Sequence, residues 1–191
     1  MDYRRLNEKT VKWAYPLPRI SESFDALVGA QFFSSLDLAQ GYHQLSVHPD
    51  DRHKTAFVTP FGQYEYTRMP FGLSTAPATF QKLMNMSMSD YLFEFLLIYL
   101  HDLLVYSRTF DDHLQHLEKL LKRLGDLGLK VKLKKCQFLR RQVTYLGHTI
   151  CAGGVKCEKE KIGAVKTWKV PTTLAELRQF LGFASYYRRF V

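Results

Sequence analysis

The sequence predicts an α+β domain, and three observations carry that prediction. Apolar, β-branched and aromatic runs come in pairs around turns, which is how antiparallel hairpins read: residues 55–59 with 63–68 around Pro60-Phe61-Gly62, and 95–100 with 103–106 around His101-Asp102. Leu114, Leu117, Leu120, Leu121 and Leu124 recur at helical spacing. Strand and helix patterns alternate irregularly, unlike the strict repeat of a doubly wound sheet. At 191 residues the chain can build one core with a small appendage. A composition shift near residue 152 divides it into a main body, 1–152, and a small helical segment, 153–191.

Taken in order, residues 18–28 predict a short helix with Ser21 as cap, Glu22 and Asp25 in its early turns and Gly29 as stop. Residues 32–38 (FFSSLDL) predict a strand that runs into Asp37. After the first hairpin, residues 75–87 predict a helix, with Pro77 tolerable in its first turn. The second hairpin is tight, although His101-Asp102 is not the usual glycine turn. Asp111 or Asp112 caps the leucine-striped helix, which runs to Leu127 and stops at Gly128. Residues 130–133 alternate Lys with apolar residues as a half-buried strand does, and 143–150 predict another strand with Ala152-Gly153-Gly154 as its turn. Helices are expected over 158–168 and 174–180, separated by Pro171.

Charge is unevenly distributed. Residues 1–118 carry 10 basic and 14 acidic side chains, a net of −4; residues 119–191 carry 17 and 4, a net of +13. That asymmetry points to a polyanionic partner, with a Lys-rich solvated surface as the plain alternative. Nine of the basic residues fall between Lys119 and Arg141. Cys136, Cys151 and Cys157 form no C-x-x-C pair, so neither a zinc site nor a redox motif is suggested, and scattered thiols fit a reducing, intracellular, non-secreted setting. The start, MDYRRLNEK, has no apolar signal region, and the most apolar stretch, 91–107, is interrupted by Glu94, His101 and Asp102 and is too short to span a bilayer, so no membrane partner is expected.

Asp37 at a strand end and Asp102 at a hairpin tip could converge on one sheet face and hold a hard cation. Their ordinary reading is as turn or cap residues. His113 and His116, three apart on a helix, read as a solvated face, because no C-x-x-C accompanies them.

Collinear motifs then carry a resemblance. DYRRLNEKTVKWAYPLPRI (2–20), SSLDLAQGYHQLSV (34–47), KTAFVTPFGQYEYTRMPFGLSTAPATFQKLMN (54–85), IYLHDLLVYS (98–107), YLGHTI (145–150) and ELRQFLGFASYYRRF (176–190) together resemble the reverse transcriptase domain of gypsy-type LTR retrotransposons, a fragment of a polyprotein. The resemblance implies a right-hand polymerase palm with partial fingers (1–152) and a thumb or start of connection (153–191). It implies RNA-directed DNA synthesis on a primer with two Mg²⁺ ions. The partners it implies are an RNA–DNA or DNA duplex bound without sequence preference, and deoxynucleoside triphosphates. Residue by residue, Asp37 and Asp102 match metal ligands and catalytic positions. Leu38, Tyr42, Phe71 and Gly72 match the nucleotide-binding surface, with Tyr42 at the gate against a ribose 2′-hydroxyl. Tyr99, Leu146, Gly147 and His148 match primer and template contacts. From the residues alone, Tyr42 and Phe71 read equally as core aromatics, Tyr99 as a sheet residue, and Gly72 and Gly147 as turn glycines. No Asp-Ser-Gly or Asp-Thr-Gly marks an aspartic protease.

Two departures stand out. The family pattern Tyr-x-Asp-Asp reads Tyr99-Leu100-His101-Asp102 here. A neutral imidazole brings no charge to a position where Mg²⁺ needs anionic oxygen, and losing one carboxylate should cost about a thousandfold in rate. The chain is therefore expected to be inactive or weak, as a decayed element copy would be, leaving a silent nucleic-acid-binding module or an inert remnant. A site rebuilt around a softer ion such as Mn²⁺ or Zn²⁺ is the alternative, though the sequence shows no metal-spaced partner for His101. The family also carries fingers sequence before the DYRRLN segment, so the triphosphate clamp is expected to be incomplete.

Overall fold

A computed structural model describes residues 1–190; Val191, the last residue of the 153–191 segment, lies outside the described residues. Its centre is a four-stranded antiparallel sheet in the order β4-β5-β1-β6, built from β1 (Phe32–Asp37), β4 (Leu96–Tyr99), β5 (Asp102–Ser107) and β6 (Gln137–Arg140). Successive strand residues face opposite sides. Leu96, Ile98, Leu103, Val105 and Leu36 therefore bury against α3 (Ala76–Ser87) and α4 (Phe110–Asp126), through Phe80, Met84, Leu117, Leu120 and Leu124. Phe33, Leu97, Leu104 and Tyr106 bury on the other face, against Phe24 of α2 (Ile20–Asp25) and Val143, Tyr145 and Ile150. A strand covered on both faces reads as a continuous apolar run, which is why LLVYS in β5 is wholly buried.

The remaining strands form two further sheets. β2 (Phe57–Thr59) and β3 (Gly62–Tyr64) make a hairpin, shorter than the sequence suggests. After Tyr64 the chain leaves it to bridge Ser46 through Arg68, whose guanidinium donates to the Gln44 carbonyl at 3.0 Å. β7 (Gln142–Tyr145), β8 (His148–Cys151) and β9 (Gly154–Cys157) form a three-stranded meander. The single strand expected over 143–150 is two, because Leu146 and Gly147 both adopt positive φ (48° and 69°) and reverse the chain. This sheet runs across residue 152, and the helical segment that follows is α5 (Lys159–Lys166) and α6 (Leu174–Tyr186). α6 has a Thr173/Glu176 capping box and runs past the expected end at Phe180.

Other differences have local causes. Helix α1 (Arg4–Lys9) and strand β6 were not legible; β6 is short, mostly exposed and pairs irregularly with β1, with Leu139 at φ 52°. Residues 130–133 are not a strand: Val131 makes one bridge to Leu38, and a 3₁₀ turn, Leu133–Lys135, follows. α2 begins after Arg19, which places Ser21 inside the helix rather than at its cap. α4 is capped by Thr109, which accepts from the Asp112 N–H at 3.1 Å, not by Asp111 or Asp112. No helix among the described residues is long and apolar enough to cross a membrane.

The reading of His113 and His116 as a solvated face is overturned. His113 is 0% exposed and takes a core position in the α4 stripe with Leu117, Leu120 and Leu124, while Leu114 and Leu121 are exposed. It lies between two strand serines: Nε2 is 2.7 Å from Ser34 Oγ, and Nδ1 is 2.8 Å from Ser107 Oγ. Ser107 Oγ is also 2.8 Å from His116 Nδ1, and Ser34 Oγ accepts from the Leu139 N–H at 3.0 Å. One direction gives every proton an acceptor: Ser34 donates to His113, His113 Nδ1–H to Ser107, and Ser107 to His116. Burial and the neighbouring His116 depress the His113 pKa to about 4, so the ring is neutral at pH 7. His116 stacks on Phe95 with ring centres 4.1 Å apart.

Candidate active site

Strand register brings the two acids together. Asp37, the last residue of β1, is the direct partner of Asp102, the first residue of β5. Opposed residues of an antiparallel pair share a face, here the one turned toward β7–β9. The hairpin turn is Leu100-His101, one residue earlier than the sequence suggests, since Tyr99 pairs with Asp102 and Leu100 takes φ 53°. That places Asp102 in the sheet and leaves His101 at the tip. Three contacts fix the tip. The Leu38 N–H donates to the His101 carbonyl at 3.0 Å. Buried Gln81 of α3 accepts the Leu100 N–H at 2.7 Å and donates to the Ile98 carbonyl at 3.3 Å. Gly41 packs so closely that a Cβ there would stand 3.1 Å from His101 Cβ and 3.2 Å from the Phe80 ring.

The other edge of β1 supplies a cation. The Ala39 N–H donates to the Lys130 carbonyl and the Lys132 N–H to the Asp37 carbonyl, each at 2.8 Å. The 3₁₀ turn then delivers Lys135, whose Nζ lies 2.9 Å from Asp37 Oδ2. Asp37 is 16% exposed and Lys135 58%, so the lysine can swing out at little cost. The pair raises the Lys135 pKa. Burial holds the Asp102 carboxyl above its ordinary range; the charges of His101 and Lys135 oppose this and that of Asp37 adds to it.

Asp37, His101 and Asp102 each offer one ligand atom, all within 4.8 Å of one another. His101 thus has the metal-spaced partners that linear spacing hid. Asp37 and Asp102, with His101 beside them at the hairpin tip, border a cleft of about 380 Å³ whose lining includes the two acids but not His101, together with Ser35, Lys134, Gln137, Thr144, Tyr145 and Leu146. Two carboxylates, an imidazole and a mobile ammonium in a polar cleft can bind a divalent cation and the phosphates it carries.

The reverse transcriptase (RNA-dependent DNA polymerase) family matches residues 1–150. The chain belongs to the reverse transcriptase family. Among curated relatives, the Pol polyprotein from transposon 297 of Drosophila melanogaster is 41% identical over all 191 residues, and that from transposon gypsy of the same species is 37% identical. The chain spans 18% of each of these polyproteins. Among solved structures, a foamy viral protease–reverse transcriptase in complex with double-stranded DNA matches 98% of this chain and 33% of its own, at 29% identity and TM-score 0.88. The foamy viral enzyme in complex with an RNA/DNA hybrid matches 98% of this chain and 25% of its own, at 29% identity and TM-score 0.83. The α+β body is accordingly a polymerase palm, and the chain is a reverse transcriptase domain similar to those within the retrotransposon Pol polyproteins it matches.

Around this acidic corner the other expected residues are placed as follows. Tyr42 is half-buried in the 3₁₀ turn after β1, with ring centres 5.2 Å from Phe71 and 5.7 Å from Phe80, and burial raises its pKa. Phe71 is 53% exposed, and Gly72 adopts φ 95° beside Tyr3. Tyr99 ends β4 opposite Asp102. Leu38 is buried, so only its backbone faces the tip of the hairpin. Leu146 lines the cleft, and its carbonyl accepts from Tyr186 Oη at 2.7 Å, while that of Gly147 accepts from Tyr187 Oη at 3.4 Å. His148 is interior: its ring sits among Phe24, Tyr186, Tyr187 and Phe190, with centres 4.8–5.5 Å away, and its Nδ1 is 2.7 Å from the Leu146 carbonyl. Its ring therefore joins the meander to α2 and α6 rather than opening onto the cleft.

Three site residues had no sequence signal of their own. Lys135 is one of nine clustered cations, Gln81 one polar residue in an amphipathic helix, and Asn7 lies on an unanticipated helix. Asn7 clamps the Phe71–Gly72 loop by donating to the Gly72 carbonyl and accepting the Ser74 N–H, each at 2.8 Å.

Proposed function

We propose that this domain binds a template–primer duplex across its palm but carries out RNA-directed DNA synthesis weakly or not at all. The observation that supports this reading is the composition of the acidic corner: Asp37 is paired with Lys135, and the third position is an imidazole. Asp37 and Asp102 would hold the divalent ions, whose chemistry when bound is to lower the charge on the attacking and leaving oxygens of nucleotide addition. With one carboxylate replaced by His101 and a lysine on another, the donor set falls short of two Mg²⁺ ions, each preferring anionic oxygen.

The chain's own groups still define a substrate surface. Tyr42 and Phe71, neighbouring rings inclined at 59°, offer aromatic surface for the sugar and base of a deoxynucleotide. Leu146 and Gly147 bring a turn backbone to the cleft for the primer strand, and Tyr99 flanks its end. Lys130, Lys132 and Lys134 are exposed and make no ion pair among the described residues, so they are free for backbone phosphates. We read residues 1–152 as partial fingers and palm, and 153–191 as the thumb or start of the connection. The three free cysteines fit an intracellular setting.

The test is primer extension on an RNA template beside His101→Asp, with Mg²⁺ and then Mn²⁺, and with filter binding of an RNA/DNA hybrid over a salt series. The expected result is hybrid binding that weakens steeply with salt, and extension at least about a thousandfold faster in the variant. Vigorous extension by the unaltered chain, or no hybrid binding at low salt, would overturn the reading.

A further inference from the structure

We propose that Asp37, His101 and Asp102 form a single mixed nitrogen–oxygen metal site that takes a borderline divalent ion of the Co²⁺ or Zn²⁺ class in preference to Mg²⁺, and that Lys135 is the cation such an ion displaces. The proposal deepens the reading of this cleft as a polymerase centre and rests on it.

Four features of the geometry support it. The ligand atoms of the three residues lie within 4.8 Å of one another, and small side-chain rotations bring them onto one ion at about 2.1 Å. The backbone beneath His101 is pinned through Leu38 and Gln81. Its ring stands at the hairpin tip, where it can turn without disturbing the sheet. No hydrogen bond to the Asp102 carboxylate is found among the described residues, so its oxygens are available as ligands.

Donor chemistry then sets the preference. A hard ion such as Mg²⁺ gains chiefly from anionic charge and oxygen ligands. Two carboxylates offset by the Lys135 ammonium leave a net of one negative charge, and an imidazole adds none. A Co²⁺ or Zn²⁺ ion gains a nitrogen bond that Mg²⁺ cannot use well. Three protein ligands would leave a position for water or a substrate oxygen. Lys135, 58% exposed, can leave Asp37 for solvent when an ion enters.

The test is Co²⁺ titration of the folded chain followed by visible absorption, with Zn²⁺ and Mg²⁺ as competitors, repeated on His101→Ala, His101→Asp and Lys135→Met. The expected result is one equivalent of Co²⁺ that Zn²⁺ displaces and Mg²⁺ displaces only at concentrations at least about a hundredfold higher. His101→Ala should weaken Co²⁺ at least about tenfold, His101→Asp should strengthen Mg²⁺ by a similar factor, and Lys135→Met should tighten every ion. Co²⁺ binding unchanged by His101→Ala would overturn the proposal and point to Cys136, Cys151 or Cys157. Competition by Mg²⁺ at equal concentration would overturn it too, as would absence of binding. Hybrid binding by the same samples in metal-free buffer reports on the polymerase reading separately. If hybrid binds and no His101-dependent metal does, only the metal site fails; the reverse result sinks the polymerase reading and leaves the metal site standing.

Discussion

Acid should unfold this domain through one histidine more than any other. In the unfolded chain His113 titrates near its ordinary 6.5; in the fold its pKa is depressed to about 4. A depressed value means that the folded state binds the proton less readily than the unfolded one. The associated stability is complete above pH 6.5, declines as the pH falls, and is lost below pH 4. That difference corresponds to about 3 kcal/mol, a large share of the 5–15 kcal/mol typical of a domain. The physical source is visible: a second proton makes both ring nitrogens donors, so Ser34 loses the acceptor for its hydroxyl in a site with no water access. The assay is urea unfolding at pH 7.5, 6.5, 5.5 and 4.5 for the unaltered chain and for His113→Gln, which retains hydrogen-bonding capacity and does not titrate. His113→Gln should be less stable at pH 7.5 and lose less stability on acidification, so the gap between the two proteins should narrow steadily below pH 6.5. Parallel pH profiles for the two proteins would refute the argument.

Other consequences are equally open to measurement. Gln81→Leu strips the staple from Ile98 and Leu100 and should cost about 1–3 kcal/mol in urea unfolding, with faster amide exchange at Leu100. Gly41→Ala places a methyl against His101 Cβ and the Phe80 ring and should cost about 1–3 kcal/mol, read by thermal melting. Restored primer extension in His101→Asp should vanish again on adding Gly41→Ala if the tip must sit where it does. Binding of an RNA/DNA hybrid should weaken log-linearly with salt, and replacing Lys130, Lys132 and Lys134 by Gln should lower that slope by up to about 0.9 for each phosphate no longer neutralised; an unchanged slope would place the track elsewhere.

Legibility followed the range of the signal. β1, β4, β5, α3 and α4 announce themselves through local pattern, because each buries a regular set of apolar residues. β6, α1 and the β7–β8 turn do not: β6 is a short, mostly exposed edge strand held from one side, and a Leu-Gly reversal inside a β-rich run looks like more strand. At the site, Asp37 and Asp102 could be picked out by residue type and motif, and their pairing follows from a register that no single segment encodes. Lys135 was invisible for the opposite reason, since one cation among nine has no distinguishing neighbour until the chain folds back on β1. His113 was misread because a histidine in a leucine stripe is ordinarily polar surface, and only two serines on separate strands make it a core residue.

The position of Asp37 also bears on how the domain comes into being. Its two flanking edges are filled by segments 65 and about 95 residues further along, His101-Asp102 on one side and Lys130–Lys135 on the other. Contacts at such separations form late and slowly, because long loops must close before they are rewarded. On a ribosome the hydrophobic half of the palm emerges well before the lysine that neutralises Asp37. Should β1 and β5 pair within that interval, two opposed carboxylates share a strand end without the Lys135 ammonium. The acidic corner is thus a liability of the nascent chain that the basic second half relieves, and the order of the two halves along the gene sets how long that exposure lasts.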